Sequence, residues 1–553
     1  MSPTAPPAAR PTPRASHADA TDPWALRPSS LHPSRRASEL EALEGGEVVD
    51  VLVVGGGVTG ASVALDAVTR GLSVALVERG DLAQGTSRWS SKLVHGGLRY
   101  LAHGNVRLAL ESARERHLLL TRTAPHLVRP RAQVMPHLPE HTASDLAQLA
   151  GALLVGDALR RAAGTPPTVL PRPRRLDAEA ALRDLPALER AQVRGATRLW
   201  DGHAVDDARL VIALARTAAA FGAKVLTHTE ATALDGHGAH LVDRHGGGRA
   251  TVRARHVVNA TGVWADRLDE RVALRPSRGS HVLVPAQRLG HPEAVLMVAA
   301  PERGGRWVFA IPDDEGLVHI GLTDVGVEEP TDPPEPSDEE IAYLLEVISG
   351  PLAEPLTTDD VVGSYAGLRP LLAPREATDG AEEGAANRWR RPWSRAPSST
   401  ADLSRDHRIV DGRDGVLTIV GGKLTTARRM GADVVDRIAA RPGVAAGPCV
   451  THRQPLVGAA PPHRLAALDA APRLVARYGN EAPRVAALAE AEPALAEPVS
   501  PRGVLGAELL FGARHEGALD EADLLDRRTR LGLVADERAR AHAAAQLALA
   551  RAR

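Results

Sequence analysis

Of the 67 basic residues in this 553-residue chain only three are lysine, Lys92, Lys224 and Lys423, and there is a single cysteine, Cys449. One cysteine cannot form an internal disulfide, which fits a reducing, cytoplasmic setting. Aromatic residues make up only 3% of the chain, and no apolar run approaches the roughly 20 residues needed to span a bilayer. The net charge of -1 leaves no global basic field for nucleic acid. The N-terminus, rich in Pro, Ala, Ser and Arg, lacks the apolar core of a secretory signal. What remains, 44% hydrophobic and 24% charged residues, is the composition of a soluble globular protein with two or three domains. A GC-rich coding sequence accounts for the arginine bias. Where arginine is the default, a retained lysine can mark a position that needs a compact ammonium rather than a planar fork.

Residues 1–46 show no sustained apolar period and many prolines, and read as a mobile tail. Order is expected to begin with the β-branched run 48–54, followed by a helix over 57–70 and a second strand over 73–78, a βαβ opening. Helices are expected over 106–122, 144–163 and 206–221, with strands at 223–228, 240–243 and 251–258. Alternation through 281–325 suggests a mainly antiparallel sheet. Residues 374–402 read as a mobile surface insertion, and the Ala/Leu/Arg/Glu-rich stretch 443–553 as a helical domain.

Between the first strand and helix, Gly55-Gly56-Gly57-Val58-Thr59-Gly60 satisfies G-x-G-x-x-G in the context that the motif requires. Gly55 makes the tight turn, Gly57 lets backbone approach a pyrophosphate, and Gly60 allows close helix–strand packing. The helix N-terminus then faces phosphate charge. Glu78, at the end of the second strand, is placed to accept from a ribose 2′-hydroxyl, which favours FAD or NAD over NADP. Two later strand–glycine steps, 257–262 with Ala260 and Gly262, and 417–423 with Gly422, suggest a cofactor held by widely separated segments. That pattern resembles flavoproteins of the glutathione-reductase/D-amino-acid-oxidase type. It implies a Rossmann-like α/β FAD-binding domain (47–130, 200–270 and 403–442), a mainly antiparallel substrate domain (131–199 and 271–373) and the helical C-terminal domain.

Several blocks carry a closer resemblance: 54–71, GTSRWSSKLVHGGLRYL at 85–101, VDDARL at 205–210, RGSHV at 278–282, GLTDV at 321–325, GLRPL at 367–371, SRD at 404–406 and GGKLTT at 421–426. In this order they resemble the FAD-dependent, quinone-linked glycerol-3-phosphate dehydrogenases over residues 48–440. Departures are Ser62 for a glycine, Arg88-Trp89 for Ser-Arg, and Ala427 for a tyrosine expected near the flavin end of the site.

The resemblance implies oxidation of sn-glycerol 3-phosphate to dihydroxyacetone phosphate, with electrons passed to a quinone. It implies peripheral contact with the inner face of the cytoplasmic membrane and allows a homodimer, with no metal and no nucleic acid. Arg99, Arg369 and Arg405 are then expected to grip the substrate phosphate, because guanidinium forks match its oxygens. Lys423 would contact the substrate hydroxyl or the flavin, and His281 would accept the hydroxyl proton, since imidazole titrates near neutral pH. His95 would position the cofactor, while Thr86, Ser87, Ser91, Lys92 and Thr425 would bond to it; Tyr100 would line the pocket or pack in the core. An oxygen-using oxidase of the same fold, or a flavoprotein without activity, is the alternative.

Overall fold

A computed structural model describes residues 24–97, 105–301, 306–373, 406–412 and 414–552. The β-branched run forms the strand Val48–Val54, and it lies at the centre of an eight-stranded sheet. On one side it pairs in parallel with Arg249–Asn259, and on the other with Val74–Val77, which in turn pairs with Lys224–Leu226. Beyond Arg249–Asn259 come Leu417–Val420, parallel, and Arg408–Asp411, antiparallel. Strands from three distant stretches of chain thus converge on one sheet. Helices Val58–Thr69, Asp207–Ala220 and Ala427–Ala439 pack together against it, and their apolar faces form one continuous buried core. The near-continuous apolar character of Val48–Val54, broken at Asp50, follows from cover on both faces of the sheet.

The second sheet has ten strands and is mainly antiparallel, built around Ser277–Pro285, Leu317–Gly321, Trp307–Pro312 and Val295–Ala299. Val128–Pro136 continues it in parallel with Val295–Ala299 and pairs antiparallel with Ala196–Ala204. Gly363–Arg369 pairs with the far side of Ser277–Pro285. Two segments expected in the nucleotide domain therefore belong here instead: Leu93–Val94 and the end of Ala196–Ala204 pair with each other in this sheet. The chain passes between the sheets at these points, so the two domains share a wall.

The C-terminal helices, among them Pro472–Tyr478, Ala482–Ala491, Gly506–His515 and Ala535–Ala552, enclose a core of their own around Phe511, Leu509 and Val485. No helix among the described residues is long and apolar enough to cross a membrane.

A further expectation is corrected. Within the stretch read as a tail, Pro33–Glu44 is a helix docked on the nucleotide domain. Only Leu40 and Leu43 are buried, too few to give the apolar periodicity that marks a helix. Polar ties complete the dock: Arg35 donates to the carbonyls of Ala219 and Ala223, and Arg36 bonds Asp243 at 2.6 Å. The segments 1–23 and 374–402 lie outside the described residues.

Candidate active site

Residues of both sheets line one cavity of about 1250 Å³. Its nucleotide end is made of backbone. Gly55 has φ +113°, and a Cβ there would meet the Ala260 carbonyl at 2.6 Å. Gly60 does not face the cavity; a Cβ on it would collide with the Gly55 carbonyl, so glycine sets the approach of helix to strand. Gly57 lies at the cavity wall as the residue before the helix Val58–Thr69. The first amide of that helix, Val58 N–H, donates to Ser87 Oγ at 2.9 Å, so Ser87 caps the helix as well as lining the cavity.

The Glu78 carboxylate accepts from Gly56 N–H (2.6 Å) and Gly80 N–H (3.0 Å). Burial pushes Glu78 up from its ordinary range against those two bonds. A carboxylate in that position gains from one more donor, which a ribose hydroxyl supplies. The glycine turn, the helix N-terminus and this acceptor together fit a dinucleotide. Ala260, Gly262, Gly422 and Thr425 line the same cavity, and Gly262 and Gly422 have φ of +65° and +78°.

The other end carries the side chains. His281, on Ser277–Pro285, is 2% exposed and at the cavity wall. Its Nε2 lies 2.9 Å from Ser91 Oγ, while its Nδ1 is buried with no hydrogen-bond partner. Burial, with the Lys92 ammonium adding to it, holds the imidazole well below its ordinary range, so it is neutral. Gly321, opposite His281 on the next strand, leaves room that any Cβ would take from the ring. Arg369, at the end of Gly363–Arg369, donates to Ser277 Oγ (3.0 Å) and the Thr323 carbonyl (3.0 Å), with Asp324 at 3.5 Å. Lys423 reaches the cavity wall just past Leu417–Val420.

The remaining candidates divide. His95 is half-exposed at the wall, 3.6 Å from Asp201; burial pushes that carboxyl up, but Arg116 and His95 outweigh it and hold it at about 2. Thr86 lines the cavity and donates to the Leu368 carbonyl at 2.6 Å, tying the two domains together. Lys92 does not line the cavity: it is 4% exposed, with Nζ 3.5 Å from the Tyr365 hydroxyl behind His281. Ala427 is likewise in the core under the nucleotide sheet and not at the cavity wall. Arg99, Tyr100 and Arg405 lie outside the described residues. Sequence reasoning missed Tyr365 and Asp201, and it noted Trp89 only as a departure from the expected motif without giving it a role.

Residues 50–428 match the family model described as FAD dependent oxidoreductase, and residues 449–552 match the C-terminal domain of alpha-glycerophosphate oxidase. Glycerol-3-phosphate dehydrogenase 1 of Mycobacterium tuberculosis is 46% identical, with 95% of this chain and 99% of that protein covered. A glycerol-3-phosphate dehydrogenase of Pseudomonas aeruginosa is 35% identical, with 88% and 92% covered. Among solved structures, the glycerol-3-phosphate dehydrogenase of Bacillus halodurans complexed with FAD has a TM-score of 0.71 at 26% identity, covering 95% of this chain and 94% of that one. With a cavity that fits FAD and matches over nearly the whole chain, this protein belongs to the family of FAD-dependent glycerol-3-phosphate dehydrogenases.

Proposed function

We propose that the enzyme oxidises sn-glycerol 3-phosphate to dihydroxyacetone phosphate. The observation that carries this reading is the single cavity joining the glycine turn and Glu78 to His281, Arg369 and Lys423. FAD, when bound, supplies the hydride acceptor. The chain's own residues bind, orient and take up a proton. Arg369 is pre-oriented by Ser277, Thr323 and Asp324, so its fork meets a phosphate with little loss of rotamer freedom. Arg99 and Arg405 complete the phosphate grip by family resemblance. Lys423 offers a cation for the substrate hydroxyl or for negative charge developing on the cofactor. His281, neutral and at the cavity wall beside Ser91, is the imidazole that accepts the hydroxyl proton. His95 and the hydroxyls of Ser87 and Ser91 orient the cofactor. Replacing Arg369 by leucine is expected to raise the half-saturating substrate concentration about 100-fold, the cost of losing a charge-assisted contact, with FAD content unchanged. Unchanged half-saturation would remove the phosphate from this end of the cavity.

The electrons pass to a quinone, from a cytoplasmic enzyme seated on the inner face of the membrane; family resemblance supports this and allows a homodimer. The match of residues 449–552 to a glycerophosphate oxidase domain favours a second reading, in which oxygen is the acceptor. Turnover with a soluble quinone and no peroxide supports the first; stoichiometric peroxide supports the second.

A further inference from the structure

Behind His281 the structure holds a stack of rings that ends in the C-terminal domain. The His281 ring lies 4.6 Å from that of Tyr365, with 12° between planes. Tyr365 lies 5.4 Å from Trp89 at 23°. On Trp89 rest two guanidinium groups, Arg88 at 4.1 Å and Arg530 at 5.3 Å from the ring centre. Arg530 comes from the C-terminal domain and also donates to the Arg88 carbonyl at 2.8 Å. Leu533 and Val534, just beyond it, pack on the Tyr365 cluster. The far edge of Tyr365 is pinned as well: its hydroxyl lies 3.2 Å from His319 Nδ1, accepts from Lys92 at 3.5 Å, and lies 3.3 Å from the Ser90 carbonyl. Each layer comes from a different element, and among the described residues the His281 ring has one hydrogen-bond tie, to Ser91.

We infer that Tyr365 and Trp89 are positioning residues for His281, and that through Arg530 the C-terminal domain sets the angle of that imidazole in the cavity. Stacking fixes the ring plane, which the lone bond to Ser91 leaves free to rotate about its axis. Trp89 stands where the family resemblance leads one to expect arginine. The inference rests on the reading of His281 as proton acceptor.

The test uses the FAD-loaded full chain, mixed without oxygen with sn-glycerol 3-phosphate, and follows the loss of flavin absorbance. Tyr365→Leu is expected to lower the limiting rate about tenfold, in line with a small misplacement of a reacting group, while half-saturation stays within twofold. Tyr365→Phe, which keeps the ring, is expected to restore most of the rate. In a His281→Asn background Tyr365→Leu should cause no further loss, because its effect passes through His281. Trp89→Leu serves if Tyr365→Leu does not fold; because Trp89 also lines the cavity, its expected result is the absence of any further loss of rate in the His281→Asn background. If His281→Asn slows reduction and Tyr365→Leu slows it as much again in both backgrounds, the stack does not act through His281 and the inference falls while the base survives. If His281→Asn reduces at the parent rate, the base reading itself falls and takes the inference with it.

Discussion

The nucleotide end of the cavity and the seam under the C-terminal domain lie within a few residues of each other, yet they are built in opposite ways. The first is made by leaving side chains out: Gly55 and Gly60 succeed because neither carries a Cβ. The second is made by burying charge. Arg528, 0% exposed, bonds both oxygens of Asp81, and Arg527 bonds Asp81 at 2.5 Å and Asp523 at 2.5 Å. Nearby Arg209 pairs with Glu516 (2.6 Å) and Arg216 with Glu481 (2.6 and 3.0 Å). Asp81 follows Glu78 by three positions, so one short loop serves both regions. The glycine turn is limited by space and fails locally. The seam is limited by desolvation, and each charge there is tolerable only while its partners remain.

The comparison is broken most severely at Gly60. Gly60→Val places a methyl-bearing side chain on the Gly55 carbonyl, and is expected to leave no FAD-loaded protein, read as the loss of flavin absorbance after purification. A yellow variant would mean that helix and strand can separate without cost. The next effect is at the seam. Asp81→Asn leaves two buried guanidinium groups without their full counter-charge, and should lower stability by about 3–5 kcal/mol in chemical unfolding. A change below about 1 kcal/mol would show that Asp523 and the Glu516 carbonyl suffice.

Acid should distinguish the regions further. Burial holds His126 and His203 at about 3, His319 at about 4 and His515 at about 2, and keeps His281 well below its ordinary range. The unfolded chain binds protons at these sites below about pH 6.5 and the folded chain does not, so stability falls as pH drops. Each histidine is expected to cost roughly 1.4 kcal/mol per pH unit until its own folded value is reached. The seam carboxylates Glu516 and Asp523 are moved the other way: burial pushes them up, but their arginines, with His228 bonded to Asp523, outweigh it and hold both below the ordinary range. They lose their contribution only as pH falls below about 4. The thermal midpoint should therefore decline between pH 6.5 and 5, before the seam carboxylates Glu516 and Asp523 titrate. A flat midpoint over that window would contradict the neutral buried histidines.

The same contrast explains what the sequence discloses. The strand–turn–helix over 48–70 is legible because its signal is local: β-branched strand, spaced glycines and an amphipathic helix follow one another. His281, Arg369 and Lys423 were legible through motif blocks, and the fold brings all three to one cavity. The stacking of Tyr365 on Trp89 was not, because it joins residues 276 positions apart and no periodicity encodes it. The seam was hidden for the same reason: arginine is so common here that none of Arg209, Arg216 or Arg528 stands out until its carboxylate is seen beside it. The docked helix Pro33–Glu44 escaped because its anchors are arginines rather than an apolar stripe.

The central claim, that a flavin and a phosphorylated alcohol meet in this one cavity, is tested most directly by adding sn-glycerol 3-phosphate to the purified yellow protein without oxygen. The account predicts that the flavin band bleaches, saturably, and that glycerol alone leaves it unchanged. A flavin that stays oxidised with sn-glycerol 3-phosphate, or one that glycerol bleaches equally well, would contradict it.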